Sequence, residues 1–353
     1  MWPLAAFARV NFDVYNAMRF FLIRFLAMLA VLGALTLSMP ASAGTWRVNV
    51  ENDRIANTDR HYSNGFRLGW VSDKTDGSDL PEVHDVLNFL YPLADVRAGR
   101  VGLELGHNIF TPGDTEARQL ISNDRPYAGW LYGAASLYAE TGEGFDDYFT
   151  ETLDKVALEI GVVGPAALGE EVQNEFHRAI SVATSNGWDN QLKNEPGINF
   201  IAERKWRAEP FRFWGLEADA IPHVGASLGN VYTHVSGGAI ARFGQQLSID
   251  YGPPLIRPNL SGYSAIEHTE GLAWYGFAGV DGRWSLRNIF LDGNTFQDSH
   301  SIDKEPLVGD FVAGVAIVYG RARLSFTHVM RTKEFKGQDQ ADRFGSVSLS
   351  IRF

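Results

Sequence analysis

The sequence predicts an all-β chain: a transmembrane antiparallel β-barrel of about twelve strands, with one short helix in its third extracellular loop. Three observations predict it. Segments of roughly ten residues recur in which apolar side chains alternate with polar ones or glycine, the weak signature of a membrane-crossing strand. The clearest are Val156/Leu158/Ile160/Val162, Leu272/Trp274/Ala278/Val280, Phe311/Ala313/Val315/Ile317/Tyr319 and Val347/Leu349/Ile351/Phe353. The chain opens on a targeting segment and closes on an aromatic, Phe353, inside an alternating strand. It contains no cysteine, so neither a disulfide scaffold nor a Cys-based zinc site is available. A soluble β-sandwich would share the alternation, but it would not explain the leader or the closing strand.

The elements follow in order. Arg19 and Arg24 flank the start of an apolar run, Phe25 to Met39, which ends at Pro40-Ala41-Ser42-Ala43. A basic region, a short apolar region and an Ala-x-Ala site describe a secretory signal peptide over 1–43. The run is short for a membrane-spanning helix. Residues before Met18 fit no signal pattern, and Met18 is an alternative start. Residues 44–353 then read as a single barrel domain. Candidate strands fall near 45–52, 61–72, 99–110, 126–140, 153–163, 197–207, 211–222, 233–243, 271–283, 309–319, 321–331 and 344–353. An even count puts both termini in the periplasm. Odd strands then run outward, so Glu51–Gly65, 111–125 and 164–196 hold the first three extracellular loops. Tyr319-Gly320-Arg321 is a tight periplasmic turn. The joins 73–98 and 244–270 are long for that side, and 81–93 reads as a short amphipathic piece. In the third loop Gly164-Pro165 breaks the strand and Ala166 to Ala183 reads as a helix. Val172, Phe176, Ala179, Ile180 and Ala183 form its apolar stripe. Glu170, Gln173, Asn174 and His177 form a polar stripe at helical spacing.

The first loop is chemically denser than a hairpin needs. Glu51, Asn52, Asp53, Asp59, His61 and Ser63 crowd fifteen residues. A solvated surface loop would account for polarity alone. Three hydrolytic schemes are open to these residues. In the first, Asn52 and Asp53 offer hard oxygen ligands suited to a calcium ion, which would polarise an ester carbonyl. His177 would take a proton from water, its near-neutral reference pKa suiting it as a base, and Gln173 would position the water or the imidazole. In the second, His61 and Ser63, two apart on one strand, would act as a phospholipase-like serine esterase, although no Gly-x-Ser-x-Gly elbow is present. The third, zinc hydrolysis, lacks a His-Glu-x-x-His. His223, His234 and His268 read as isolated; His107, near the rim, is a reserve candidate. A formal charge of −11 argues against a nucleic-acid partner. A non-enzymatic pore or structural barrel is the rival to all three schemes.

These motifs resemble the lipid A 3′-O-deacylase family of outer-membrane, LpxR-like proteins. The resemblance rests on Glu51-Asn52-Asp53 with Thr58-Asp59-Arg60-x-Tyr62-Ser63-Asn64-Gly65. Further matching blocks are Asp124-Arg125-Pro126-Tyr127-Ala128-Gly129, Ile160-Gly161-Val162-Val163-Gly164-Pro165, Glu171-Val172-Gln173-Asn174-x-x-His177-Arg178 and Gly187-Trp188-Asp189-Asn190-Gln191. It covers essentially the whole chain after the leader, most specifically 51–195. The resemblance implies a twelve-stranded barrel, a calcium-dependent esterase and a site between the barrel wall and a loop helix. Asn52 and Asp53 match its metal and oxyanion positions, Ser63 a site hydroxyl, Gln173 a supporting position and His177 the general base. It further implies a lipid A or lipopolysaccharide substrate, outer-membrane lipids around the barrel, and the barrel assembly machinery as a partner read through Phe353. Two positions depart from the pattern. Arg118 stands near where some members carry a functional lysine, and Ala183 stands where some carry a glutamate.

Overall fold

The computed structural model describes residues 44–53, 60–74, 96–141, 148–179, 183–253 and 265–353. The leader over 1–43, Asp59 and the 81–93 segment lie outside the described residues. Alternation forms the strands where it was expected. They are β1 (Gly44–Asn52), β2 (His61–Ser72), β3 (Val96–Thr111), β4 (Ala128–Thr141), β5 (Phe149–Val163) and β6 (Glu195–Ala208). Then come β7 (Leu216–Gly229), β8 (Tyr232–Gln245), β9 (Leu272–Asn288), β10 (Leu307–Tyr319), β11 (Ala322–Arg331) and β12 (Asp342–Arg352). Each pairs antiparallel with its sequence neighbour, and β1 pairs with β12 from Thr45↔Arg352 to Asn52↔Gly345, which closes the ring. Closure leaves no open sheet edge, which a lipid environment requires.

The largest boundary difference from the sequence reading falls at 211–222. The expected strand 211–222 is two strands and a turn. Phe211–Phe213 continues β6 beyond Glu209-Pro210 and pairs with the start of β7 through Phe213↔Leu216. Between them Trp214 and Gly215 have φ of 50° and 78°, the two positive angles of a tight hairpin turn. An exposed tryptophan in a left-handed turn carries no turn signal, so the run reads as one strand. The tight turn at Gly320-Arg321 is present, with Gly320 at φ 59°.

The strands are inverted relative to a soluble protein. Outward positions are apolar and exposed, as in Val48, Val50, Leu158, Ile160, Val315, Ile317 and Leu349. Inward positions carry charge that is paired and buried. Arg67 bonds Glu51, Arg47 bonds Glu104, Arg242 bonds Asp219 and Asp250, and Arg331 and Arg283 share Asp310. Arg47, Arg67, Arg242 and Arg323 are each 3% exposed or less. At one end an aromatic cluster containing Phe110, Trp130, Tyr132, Tyr232 and Phe290 fills the interior. Phe110 and Phe290 stack at 4.1 Å. Phe290 arrives on α2 (Ile289–Asp292), a single turn capped by Asn288, whose side chain accepts from the Phe290 N–H. Among the described residues, 112–127, 289–306, 332–341 and both ends of the β5–β6 connection lie at this end of the barrel.

Candidate functional site

β1 ends with Asn52, which pairs with Asn64 on β2 and Gly345 on β12. Asp53 follows, 2% exposed, and its Oδ2 accepts the Arg60 N–H at 2.6 Å. Asn52 donates its side-chain N–H to the Ser63 carbonyl at 2.8 Å, so the amide is oriented nitrogen-first towards β2.

β2 does not enter as a regular strand. His61 has φ 66°, and pairing with β3 jumps from Tyr62↔Phe110 to Asn64↔Ile109. Ser63 is thus the extra residue of a β-bulge, a device that re-aims a side chain beside a site. His61, Tyr62 and Ser63 are all buried in succession. Tyr62 bonds Glu51 in the interior, while the Ser63 hydroxyl lies 2.7 Å from that of Thr111. Strict alternation would have set His61 beside Ser63 on one face. Instead the His61 Nδ1 lies 2.8 Å from Asp342 and its Nε2 3.5 Å from Asp124. No hydrogen bond joins His61 to Ser63 among the described residues.

The loop helix also starts later than its hydrophobic pattern suggests. Gly164 takes φ 100°, and a Cβ there would lie 2.6 Å from the Lys193 backbone, so only glycine fits. Pro165–Ala167 form a 3-10 turn, Leu168 is left-handed, and α1 runs Gly169–Ala179 rather than from Ala166. The His107 Nε2–H donates to the Ala167 carbonyl at 2.8 Å. That makes His107 a clamp under the turn, not a site residue. Gly169 lets the Trp188 ring approach: a Cβ there would lie 2.7 Å from Cη2. Trp188 packs with Tyr127 and Ile109, its ring 4.9 Å from that of Tyr127.

Of the polar stripe of α1, Gln173, Asn174 and His177 turn inward, while Glu170 stays exposed. Asn174 exchanges two hydrogen bonds with the Ser185 backbone, at 2.8 and 3.3 Å. The His177 Nδ1–H donates to the Ala183 carbonyl at 2.7 Å, which leaves Nε2 as the lone-pair nitrogen. The Gln173 Oε1 accepts from the Trp188 indole N–H at 3.1 Å. An indole N–H only donates, so this contact fixes which end of the Gln173 amide is oxygen. The other end, Nε2, is buried with no hydrogen-bond partner among the described residues. Val172 and Phe176, from the apolar stripe, stay 42% and 40% exposed.

Asn52, Asp53, Ser63, Gln173 and His177 therefore come from three distant segments to line one cleft, with Ile109, Val172 and Phe176 as its apolar part. The cleft is narrow. About 10 Å³ is open to water, roughly what a single molecule occupies (about 10–15 Å³ by this measure). Asp53 is the one carboxylate on it, and no group of three or more His, Asp or Glu suited to a metal occurs among the described residues. Arg118 stands exposed on the neighbouring 112–127 loop. His223 is not isolated, as expected, but pairs with Asp281 at 2.8 Å inside the barrel. Sequence reasoning passed over Thr111, Asp124, Asp342 and Trp188 as site partners. Only the Trp188 and Asp124 blocks carried a signal, through the family resemblance.

A closed antiparallel barrel of twelve strands, apolar outside and charged within, defines an outer-membrane β-barrel protein. The family model for "Outer membrane protein LpxR" matches residues 20–353. The chain belongs to that family. Its fold is similar to that of LpxR from Salmonella typhimurium, with a TM-score of 0.71 and 21% identity over 88% of this chain and 100% of that one. The translocator domain of the autotransporter NalP from Neisseria meningitidis matches at a TM-score of 0.37, with 11% identity over 97% and 98% of the two chains. The β domain of the Bordetella autotransporter BrkA matches at 0.41, with 12% identity over 88% and 99%. No curated protein matches the chain.

Proposed function

We infer that this protein is a lipid A 3′-O-deacylase, an esterase that hydrolyses the ester-linked 3′ acyloxyacyl group of lipid A in the outer leaflet. The observation that carries the reading is the orphaned Gln173 amide in the cleft. A buried donor without a partner costs about 1–3 kcal/mol, and a site that binds an acceptor recovers it. An ester carbonyl that becomes an oxyanion is such an acceptor, and a fixed donor is worth most when that charge develops. His177 sits on the same helix face one turn on, with its Nδ1–H committed to Ala183 and Nε2 left to take a proton from water. Family membership and the Salmonella fold support the reading at the level of the family.

The residues present suit a hard cation held by few charges: the Asp53 carboxylate and the Asn52 amide oxygen, with backbone oxygens or water completing the shell. Calcium, when bound there, supplies Lewis-acid polarisation of the ester carbonyl. The side assignment supports action on the outer leaflet. β1 begins and β12 ends at the barrel end opposite the cleft; periplasmic termini, expected of an even-stranded barrel, would set the cleft at the extracellular rim. The first 43 residues would be the export signal and Phe353 the mark read by the assembly machinery.

The serine scheme is less well supported, because both His61 nitrogens face carboxylates and Ser63 bonds Thr111. The pore reading meets a buried, ion-paired interior. The test is purified barrel in detergent micelles with lipid A. We expect release of the 3′ acyloxyacyl acid, loss of release in a calcium chelator, and no acyl adduct on the enzyme by intact mass. An adduct on the Ser63 peptide would overturn the water mechanism.

A further inference from the structure

His61 is a buried, charge-paired side chain at this end of the barrel that the mechanism leaves unused. It opens β2 in a left-handed conformation, φ 66°, which strains a residue with a side chain. It is 5% exposed. Its Nδ1 lies 2.8 Å from both carboxylate oxygens of Asp342, at the start of β12. Its Nε2 lies 3.5 Å from Asp124 on the 112–127 loop. The Phe335 ring, from the 332–341 loop, stands edge-on to it at 5.2 Å.

We propose that His61 is a positioning residue for the cleft: clamped between Asp124 and Asp342, it fixes the bulge that presents Ser63 and the segment that holds Asp53. This rests on the hydrolase reading above. The connection runs through neighbours. Asp342 also holds the Arg60 guanidinium at 3.4 Å and accepts from Gln338 at 3.0 Å. The Arg60 backbone N–H is the donor on the Asp53 carboxylate. Asp124 is itself anchored by the Gly113 and Arg125 N–H groups at 2.8 and 2.7 Å. Burial would raise the Asp124 carboxyl; hydrogen bonds from His61 and Gly113 outweigh it and hold it below the ordinary value. Arg125 and Glu334, paired with each other at 3.3 Å, are the other charged groups that face the imidazole.

Carboxylates on both nitrogens call for a donor on each, which is the imidazolium form. That form has no lone pair for general-base work. It supplies charge and two donors, and a guanidinium supplies the same. His61→Arg therefore separates positioning from proton transfer, because arginine stays protonated.

The test compares wild type, His61→Gln, His61→Arg and Asp342→Asn on lipid A from pH 5 to 9, with heat-modifiable migration as the check on assembly. Misplacing a reacting group by about an ångström costs on the order of 10²-fold. His61→Gln and Asp342→Asn are expected to lose turnover on that order with little change in KM. His61→Arg is expected to retain most turnover. It should also lose the alkaline limb of the pH profile. Full activity in His61→Gln, or equal loss in folded His61→Arg and His61→Gln, would overturn the proposal. Ring nitrogen-15 NMR of the wild type reads the clamp without activity: both nitrogens protonated at neutral pH is expected, and a neutral ring would overturn it. Inactive wild type with a protonated ring would count against the hydrolase reading and leave the clamp standing.

Discussion

Replacing Gln173 by methionine should slow the enzyme without loosening it. The side chain keeps its length and loses both polar atoms. Two terms in stability then oppose each other. The Trp188 N–H, 2% exposed, loses its acceptor, which costs about 1–3 kcal/mol. The Gln173 Nε2, a donor with no partner among the described residues, disappears, which returns a similar amount. The net change should lie within about 1 kcal/mol of zero. Turnover has no such compensation. Loss of one oxyanion donor typically costs about 10²–10³-fold, or about 2.7–4 kcal/mol of transition-state stabilisation. The assay is kcat on lipid A in micelles, beside the temperature at which the barrel loses its heat-modifiable migration. A Gln173→Met variant with turnover within about threefold of wild type would refute the assignment. So would a loss of rate that merely tracks a fall in melting temperature.

Other expectations follow from the same geometry. His177→Ala removes the base and should lower turnover by about 10²–10⁴-fold, with calcium affinity, read by isothermal titration, unchanged. Asp53→Ala should abolish activity and calcium binding together while the barrel still assembles; full activity in a chelator would contradict this. Burial would raise the Glu334 carboxyl, but Arg331, Arg125 and Arg283 around it pull it from 4.5 down to about 2. That drop corresponds to about 3 kcal/mol of stability. Because the folded value is depressed, the contribution is complete above about pH 4.5 and is lost as pH falls through about 2. Glu334→Gln should destabilise the loop end by about 3 kcal/mol at pH 7, since it takes the carboxylate from Arg125 while Arg331 and Arg283 keep Asp310, and by far less near pH 2; urea unfolding at both values checks it.

What the sequence disclosed and what it hid have separate physical causes. The strands were legible because lipid outside and a charged interior impose period two along their length, as Phe311 to Tyr319 shows. The helix position was legible only in part. Its apolar stripe marked a helix, but Leu168 in a left-handed conformation delays the start to Gly169, and no side-chain pattern reports that. Nor did the stripe reveal that Val172 and Phe176 stay part-exposed along the cleft while Gln173 and His177 are buried in it. The bulge at Ser63 was illegible for a similar reason. It depends on how β2 meets β3, a tertiary fact, and it converts two residues of apparent common face into members of different networks. Trp214 hid its turn because tryptophan is not a residue expected at positive φ. The site residues themselves stood out through the resemblance and the density of oxygen ligands. Their partners Thr111 and Asp342, single residues on other strands, did not.

Lipid A mass spectrometry tests the central claim most directly. Lipid A is extracted from one Gram-negative host expressing wild type, the His177→Ala variant or neither, with outer-membrane levels of the two proteins matched. The account expects the wild-type sample alone to shift by the mass of one 3′ acyloxyacyl group, with the His177→Ala sample like the empty host. Unmodified lipid A in cells carrying folded, calcium-supplied wild-type barrel would contradict it, as would the same shift with His177→Ala.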